Sequence, residues 1–437
     1  MNQVHDKKFF RYPTTVKRNV IVFCIAIVTV LLLGVVSVSR FFLPDTIRIT
    51  EGQETTISYA DIFSFHIHKS EKDSFEVMQS PIRGNQDIQI SYPDSSQHTD
   101  TTVTKATISL FGILPVKTVT IEIWDSLYLV PLGQTIGIDI HTNGVMILGT
   151  GSVETAEGKQ DSPAKGKVFT GDLIQKVNGQ VVESNGDVTE IVEREGQSPV
   201  TLEILREGEI IQASITPLIG TDGIYKLGLW IRDRAQGIGS LTYYNPDTGG
   251  FGAIGHGIAD VDTHETIPVG EGTITKARIS AVKKGVEGEP GEIEGSLTST
   301  VLGEIQLNSA NGVYGTIVNS ESLIQTQNAI PIALKEEIKE GKAYILCNLE
   351  GDTVEQYEVK VSKTSKIASK NDGLVVEITD PRLLEKTNGI IQGMSGSPII
   401  QDGALIGAVT HVFVQEPQKG YGIYIEDMIN TENSLKN

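Results

Sequence analysis

The sequence Gly393-Met394-Ser395-Gly396-Ser397-Pro398 is the strongest indication of the fold. A serine in this glycine frame lies on a tight turn, where the N–H groups of Gly393 and Ser395 can point at a developing oxyanion. Far upstream, His256 stands between two glycines that leave room around its ring. Because an imidazole from a distant segment can accept the proton of such a serine, the pattern predicts Ser395 as the nucleophile and His256 as its general base.

The positions of these two residues along the chain narrow the fold. A histidine first and a serine near the C-terminus follow the chymotrypsin-like order. Residues 398–400 and 405–410 are apolar strand patterns joined by a turn, and glycine-rich strand patterns recur from about residue 219 onward. Such a series predicts two antiparallel barrels side by side. We therefore expect a mainly β fold with a chymotrypsin-like double β-barrel and the activity of a serine endopeptidase.

Three other residues compete for roles beside this pair: Ser397, His411 and His264, of which His264 lies among polar neighbours and is expected to be exposed. Ser397 is an alternative nucleophile, but it lacks the glycine frame of Ser395, and we expect it to hydrogen-bond the loop instead. His411 follows the strand pattern at 405–410, where it can line a substrate cleft.

The acid that would orient the histidine has three candidates. Asp380 precedes Pro381, and Asp followed by Pro is also the ordinary start of a helix, with no catalytic role required. Asp260 and Asp262 lie close to the histidine in sequence. Since an orienting acid need only reach Nδ1 of the imidazole, sequence distance does not choose among the three.

The N-terminal region predicts a membrane anchor. Residues 1–44 hold six basic side chains and one acidic one, and residues 20–38 contain no charge. A helix over that uncharged run would span about 28 Å, close to the hydrocarbon thickness of a bilayer. The preceding basic residues orient the N-terminus to the cytoplasm and the bulk of the chain outward. A cleaved signal peptide is the alternative, disfavoured by the length of the run and of the basic head.

Residues 133–218 carry a different pattern, which resembles a PDZ domain. Gly-Asp-Leu-Ile at 171–174, Val-Asn-Gly at 177–179 and a polar helix near 185–195 are its specific parts. By that resemblance, the N–H groups of Ile136, Gly137 and Ile138 would hold a C-terminal carboxylate while the bound peptide adds a strand. A glycine turn without a ligand is the alternative.

Composition limits the partners. The net charge of -19 argues against a nucleic-acid partner. The two cysteines, Cys24 in the apolar run and Cys347 in a strand pattern, are not expected to pair. We expect no metal and no cofactor.

The predicted organisation is a basic cytoplasmic head (1–18), a transmembrane anchor (19–40), a β-rich membrane-proximal segment (45–132), a PDZ-like domain (133–218) and a serine peptidase domain (219–437).

Together, the anchor, the PDZ-like part and the two glycine-framed motifs resemble the stage IV sporulation protein B family of serine peptidases over nearly the whole chain. The resemblance implies that Ser395 and His256 are catalytic, and it maps the family's proposed aspartate onto Asp380. It further implies a location between forespore and mother cell and cleavage of the chain by itself. A membrane-bound regulator would be its other substrate, cut so that a sigma-factor precursor can be processed. The alternative class is a non-catalytic membrane-tethered scaffold that binds protein C-termini.

Overall fold

The computed structural model describes residues 14–50, 54–59, 63–68, 76–79, 86–91, 103–318, 329–364 and 373–436. The chain divides into two compact units, Met1–Ser126 and Leu127–Asn437. Both are built mainly of β-strands, which confirms the predicted fold class.

The described residues of the first unit form one long helix and two small sheets. Strands β1, β7, β6 and β3 form one sheet in that order, in which β1 and β7 are parallel; β2, β5 and β4 form the other. Its elements are α1 (Thr14–Phe42), β1 (Thr46–Thr50), β2 (Glu54–Tyr59), β3 (Phe63–His68), β4 (Glu76–Gln79), β5 (Gln86–Ser91), β6 (Val103–Leu110) and β7 (Leu114–Trp124). The core of the four-stranded sheet is aliphatic, with Ile47, Ile49, Ile108 and Ile121 fully buried.

Helix α1 carries the uncharged run noted in the sequence. Among the described residues it holds one segment long and apolar enough to cross a membrane, Val22–Phe41, with a mean hydropathy of 2.8. No residue of that segment is buried inside the protein. Its length and composition fit an anchor and a signal sequence alike.

In its described residues, the second unit is a succession of antiparallel strands with three short α-helices and one 3-10 turn, Ser434–Lys436. Its strands are β8 (Tyr128–Thr150), β9 (Val153–Thr155), β10 (Gly158–Gln160), β11 (Leu173–Val177), β12 (Gln180–Val181), β13 (Val200–Arg206), β14 (Glu209–Ile215), β15 (Leu218–Ile219), β16 (Tyr225–Lys226), β17 (Leu229–Tyr244), β18 (Gly250–Ala253), β19 (Glu271–Lys283), β20 (Glu292–Ser309), β21 (Gly312–Ile317), β22 (Ile330–Pro331), β23 (Gly341–Glu350), β24 (Thr353–Lys363), β25 (Leu374–Ile378), β26 (Pro398–Gln401), β27 (Ala404–Phe413) and β28 (Glu416–Tyr424). Its helices are α2 (Asn185–Glu195), α3 (Pro381–Thr387) and α4 (Ile425–Asn433).

Two rings of six strands organise this unit, as expected for a double barrel. In the first barrel, β8 pairs with both β17 and β19, which closes the order β8-β17-β18-β21-β20-β19. The second barrel is closed in the order β23-β24-β25-β28-β27-β26. Each ring encloses a separate apolar core, around Ile138, Leu241 and Phe251 in the first and around Ile345, Tyr357 and Val376 in the second.

The PDZ-like region is inserted into the first barrel. The last third of β8 continues into a sheet with β11, β13 and β14, and α2 packs on it through Val188 and Val192. Helix α2 begins with a capping box from Ser184 and Asp187. Its bounds, Asn185–Glu195, are those of the helix expected near 185–195. The chain then returns along β17, antiparallel to β8, into the barrel.

This insertion shifts the predicted domain boundaries. The stretch 134–141, expected in the PDZ-like domain, is the first strand of the first barrel. Conversely, Leu227, Leu229 and Ile231, expected in the peptidase domain, pack on the PDZ-like core. The sequence gives no sign of this exchange, because an alternating apolar pattern suits either sheet.

Candidate active site

The serine turn connects residue 392 to strand β26. Gly393 and Gly396 both have positive φ, +94° and +96°, which glycine adopts without steric cost. The Ser397 N–H closes the turn by donating to the Met394 carbonyl at 2.9 Å. The Gly396 N–H donates to Val409 on β27 at 2.8 Å, which ties the turn to the hairpin that follows it. Ser395 is left half-buried at the surface of the turn.

The histidine follows a strained turn at the end of β18. The Gly255 N–H donates to the Ala253 carbonyl at 2.8 Å, which makes a three-residue turn centred on Ile254. Ile254 has a φ of +69°, a region that a β-branched residue rarely occupies. Such strain persists only where the surrounding structure fixes it. Its effect here is to present His256 immediately beyond the barrel wall.

The two turns dock on each other. The Ser240 N–H on β17 donates to the Ser395 carbonyl at 2.8 Å, and its hydroxyl donates to the Gly393 carbonyl at 3.0 Å. A Cβ added to Gly396 would lie 2.1 Å from the Ser240 carbonyl oxygen and 2.5 Å from the Ile254 nitrogen. The serine turn of the second barrel therefore rests directly on the histidine turn of the first, with space for glycine alone.

Thr410 and His411 on β27 complete the arrangement. The Ser395 hydroxyl donates to the Thr410 carbonyl at 2.5 Å, and a Cβ on Gly255 would lie 3.1 Å from Thr410 Cγ2. The ring of His411 lies 4.3 Å from the ring of His256, centre to centre. Among the described residues, no hydrogen bond joins the serine hydroxyl to the imidazole. Catalytic hydrogen bonds are often loose before substrate binds, so this resting geometry does not exclude their pairing.

His256 is held in the tautomer that a general base requires. Its Nδ1 lies 2.9 Å from the Gly257 carbonyl oxygen, which can only accept, so Nδ1 carries the proton and Nε2 is the basic atom. Burial, and then the neighbouring His411, lower the pKa of His256 to about 4. Burial also lowers the pKa of His411. Both rings are therefore neutral at pH 7.

Asp380, which the resemblance maps onto the catalytic aspartate, lies at the N-terminus of α3. Its carboxylate accepts from the Arg382 N–H at 2.9 Å and from the Glu358 N–H at 3.2 Å, and it pairs with the Arg382 guanidinium at 2.8 Å. The Arg382 side chain lowers the pKa of Asp380 to about 2. No contact between this carboxylate and His256 occurs among the described residues. The helix-capping role that the Asp-Pro pair also predicted is the one observed.

The two sequence-adjacent aspartates are engaged elsewhere as well. Asp260 is fully buried, pairs with Arg232 and accepts the N–H groups of Asp262 and Thr263, both at 3.0 Å. Asp262 pairs with the same guanidinium at 3.0 Å. In the described structure neither carboxylate contacts the imidazole, whose Nδ1 is oriented by a backbone carbonyl instead.

The expected oxyanion donors are available. No acceptor among the described residues takes the N–H of Gly393 or of Ser395. The Gly393 carbonyl, at the other end of the same residue, is fixed by the Ser240 hydroxyl. Ser397, the alternative nucleophile, is fully buried; its N–H bonds the loop, as expected, and its hydroxyl has no partner among the described residues.

The predicted carboxylate-binding loop is not a loop. Ile136, Gly137 and Ile138 lie within β8 and pair with β17 on one edge and β19 on the other. Both isoleucines are buried in the first barrel, and a Cβ on Gly137 would lie 2.3 Å from the Leu297 side chain. Because their backbone groups and faces are occupied within the barrel, these residues cannot hold a peptide carboxylate.

A groove suited to a peptide is found elsewhere in the PDZ-like region. A cavity of about 470 Å³ lies between α2 and residues 224–231, and its walls include Val188, Val192 and Leu229. The stretch Leu229–Ile231 pairs with β8 on one edge, and in the described chain no strand pairs with its other edge. Gly228, with a φ of +65°, turns the chain just before that strand.

Sequence reasoning missed three features of these sites. Ser240 resembles any polar residue in a strand, and Thr410 contributes only a backbone carbonyl. The groove loop has a signal, the apolar-glycine-apolar stretch Leu227-Gly228-Leu229, but it stood beyond the expected end of the PDZ-like domain. Cys347 is buried, and burial raises the pKa of its thiol to about 12, which leaves it inert.

Two closed barrels, with a glycine-framed serine on one and a histidine presented by the other, define a serine peptidase of the double-barrel class. Residues 223–429 match the family described as SpoIVB peptidase S55. The protein is a serine peptidase. No curated protein matches the chain.

Two solved structures are similar to parts of the chain. A PDZ domain of an SdrC-like protein from Listeria innocua is 24% identical, covering 20% of this chain and 93% of that one, with a TM-score of 0.18. A thermostable serine protease from an extremophilic microorganism is 9% identical, covering 46% of this chain and 91% of that one, with a TM-score of 0.25.

Proposed function

We propose that this protein is a membrane-anchored endopeptidase that cleaves itself and a membrane-bound regulator in sporulation signalling between two compartments. The proposal is supported most by the docking of the serine turn on the histidine turn through Ser240 and Gly396. The family match supports the peptidase chemistry and the connection to sporulation. Helix α1, whose apolar segment is Val22–Phe41, is the proposed anchor.

The proposed reaction is acyl transfer. The Ser395 hydroxyl turns from the Thr410 carbonyl toward Nε2 of His256, gives up its proton there and attacks the peptide carbonyl. The N–H groups of Gly393 and Ser395 stabilise the oxyanion, worth roughly 3 kcal/mol per donor. The amine leaves with the proton from His256, and water then releases the acyl group by the same steps in reverse.

The role of the third catalytic member is assigned to a backbone group. The Gly257 carbonyl already orients Nδ1, whereas Asp380 would have to abandon a helix cap and an ion pair to reach the ring. We therefore propose that Asp380 acts through helix α3. Asp380→Asn retains the side-chain oxygen that caps the helix but loses the charge. Its rate of labelling by a fluorophosphonate probe, which reacts with an active serine, should stay within a few-fold of the parent rate. Loss of a catalytic aspartate costs about 10⁴-fold in rate.

The groove beside α2 is the proposed peptide site, replacing the predicted one at Ile136–Ile138. Its strand edge can take an added peptide strand, and its apolar wall suits a hydrophobic terminal side chain. The Asn185 Oδ1 atom lies in this lining, buried and without a partner among the described residues. It is a ready acceptor for a peptide N–H.

A fluorophosphonate probe tests the central assignment on the full chain. The parent protein and Ser397→Ala should be labelled, and both should shorten themselves, because the Ser397 hydroxyl takes no part in the proposed chemistry. Ser395→Ala and His256→Ala should neither label nor shorten. Self-shortening of Ser395→Ala at the parental rate would overturn the peptidase assignment, and a parent that never labels would favour the non-catalytic scaffold.

A further inference from the structure

The hairpin between β6 and β7, in the first unit, ends in an exposed apolar tip. The turn has positive φ at both central residues, +53° at Phe111 and +70° at Gly112, and the Ile113 N–H donates to the Leu110 carbonyl at 3.2 Å. The side chain of Phe111 is 64% exposed and that of Ile113 is 88% exposed. These two residues are called the hairpin tip below.

The sequence of this tip conflicts with the usual rules for a water-exposed turn. A turn with two positive φ values favours Asn-Gly or Asp-Gly, because a bulky residue is strained there. Here the first position is an aromatic residue, and a large aliphatic one follows the glycine. Residues that go against the usual turn and surface preferences, and do not pack inside the fold, are typical of functional surfaces.

The position of the tip relative to α1 indicates what covers it. Strand β1 follows α1 directly and runs parallel to β7, with Thr46 opposite Thr120. Further back along β7, the Lys117 ammonium donates to the Leu43 carbonyl at the end of the helix, at 2.6 Å. Strand β7, followed backward from that point, therefore runs alongside the last turns of α1 toward its apolar segment.

The lengths of the two elements match. From Lys117 to Leu114 the strand covers about 10 Å, and the same distance along the helix leads from Leu43 to about Val36. Leu114 and Val36 indeed pack against the same apolar core. The tip lies just beyond Leu114, level with a part of α1 inside the apolar segment Val22–Phe41.

We propose that the hairpin tip inserts into the outer leaflet of the membrane that α1 spans. This inference depends on the proposed anchoring by α1. An exposed aromatic and an exposed aliphatic side chain at that depth bury their apolar surface at the boundary of headgroups and acyl chains. The exposed Arg40, near the end of the apolar segment, lies where lipid phosphates would meet it. The tip and the helix thus hold the first unit at two points.

Depth-dependent quenching tests the insertion on the full chain. Ile113→Cys in a Cys24→Ser background carries one accessible thiol, since Cys347 is buried, and takes an environment-sensitive NBD label. The chain is reconstituted into vesicles of phosphatidylcholine and phosphatidylglycerol (3:1), with or without doxyl-labelled phosphatidylcholine. The expected result is quenching at least threefold stronger than for Val261→Cys, a 75% exposed apolar position of the second unit.

Two further variants separate the possible outcomes. Val30→Cys reports on α1 alone. If a label at Val30 is not quenched, the anchor is contradicted. If the label at Val30 is quenched but the label at Ile113 is quenched no more than the one at Val261, only the tip insertion is overturned. Phe111→Asn in the labelled chain keeps the turn, because Asn before Gly favours positive φ, and it should reduce the quenching at Ile113. Unchanged quenching in that variant would contradict a role for the aromatic ring.

Discussion

The two barrels of the peptidase unit are assembled in different ways. The second takes its six strands from a single stretch of chain between residues 341 and 424. The first takes one strand from β8, ahead of the PDZ-like insertion, and the other five from strands after it. The barrel with the serine is thus contiguous, and the barrel with the histidine is not. The histidine is therefore presented by a barrel that closes only through long-range pairing, and the serine by a barrel that closes within one segment of chain.

The contact between the barrels brings these two kinds of structure together. Gly396 on the serine side and Ser240 on the histidine side form it, by close approach and by two hydrogen bonds. If that contact unites the site, small changes there should affect reactivity far more than stability.

The largest effect is expected from Gly396→Ala. The new Cβ would collide with backbone atoms of Ser240 and Ile254, and its φ of +96° is strained for alanine, so the serine turn must move away from the histidine. A displacement near 1 Å costs about 100-fold in rate, so fluorophosphonate labelling should slow by at least that factor.

Gly237→Ala is the matched control for this change. It lies on β17 in the first barrel, where the added Cβ would meet nothing within 4 Å beyond its own chain neighbours. Its labelling rate should stay close to that of the parent. Labelling of Gly396→Ala at the parental rate would show that the barrels need not touch at this point for the site to work.

Ser240→Ala should have a smaller effect. It removes the hydroxyl that fixes the Gly393 carbonyl, a hydrogen bond worth about 1 kcal/mol, and the labelling rate should fall roughly fivefold. Ser280→Ala removes a comparable hydroxyl-to-carbonyl bond on an exposed part of the same barrel, at 3.1 Å, and should leave the rate unchanged. Equal losses in both variants would indicate a general effect on the barrel.

The pH dependence of labelling tests the environment of the histidine. Since the base must be neutral and the pKa of His256 is lowered to about 4, the rate should be flat from pH 8 to about pH 5 and fall with a midpoint near 4. An unperturbed histidine would give a midpoint near 6.5. His411→Asn should move the midpoint upward, because His411 lowers the pKa of its neighbour. A midpoint at 6.5 in the parent protein would contradict the burial of the ring.

The smallest effect on activity is expected from Glu336→Gln, in the segment that leads from the first barrel to the second. Burial, and then Glu426, raise the pKa of Glu336 to about 7, and its Oε2 atom is buried without a partner among the described residues. The folded state therefore binds more protons than the unfolded state between pH 4.5 and 7, so the stability of the parent falls as pH rises through that window.

Glu336→Gln should remove this fall, with a gain of up to about 3 kcal/mol at pH 8 and little change at pH 4. Urea unfolding at the two pH values measures the difference, and the labelling rate should not change. Equal stabilities of parent and variant at pH 8 would show that the carboxyl is solvated. The segment connects the two barrels. A variant that changes the stability of the protein but not its labelling rate would show that the contact between the barrels is unaltered.

Features that depend on neighbouring residues follow from the amino-acid order alone. The glycine frames of Ser395 and His256, the apolar run of α1 and the Asp380-Pro381 helix start follow from local backbone preferences and hydropathy. Each is present in the structure as a turn or a helix at the expected residues.

Strand pairing and contacts between distant side chains, in contrast, are visible only in the folded chain. The stretch around Ile136 fits a PDZ-like strand and a barrel strand equally well, and only its pairing with β17 and β19 distinguishes them. Ser240 has a role only because its hydroxyl meets the Gly393 carbonyl across the barrel contact. The Gly257 carbonyl has one only because the ring of His256 turns toward it. The physical reason is that backbone preference and hydropathy belong to single residues, whereas pairing and docking belong to contacts between segments far apart in the chain.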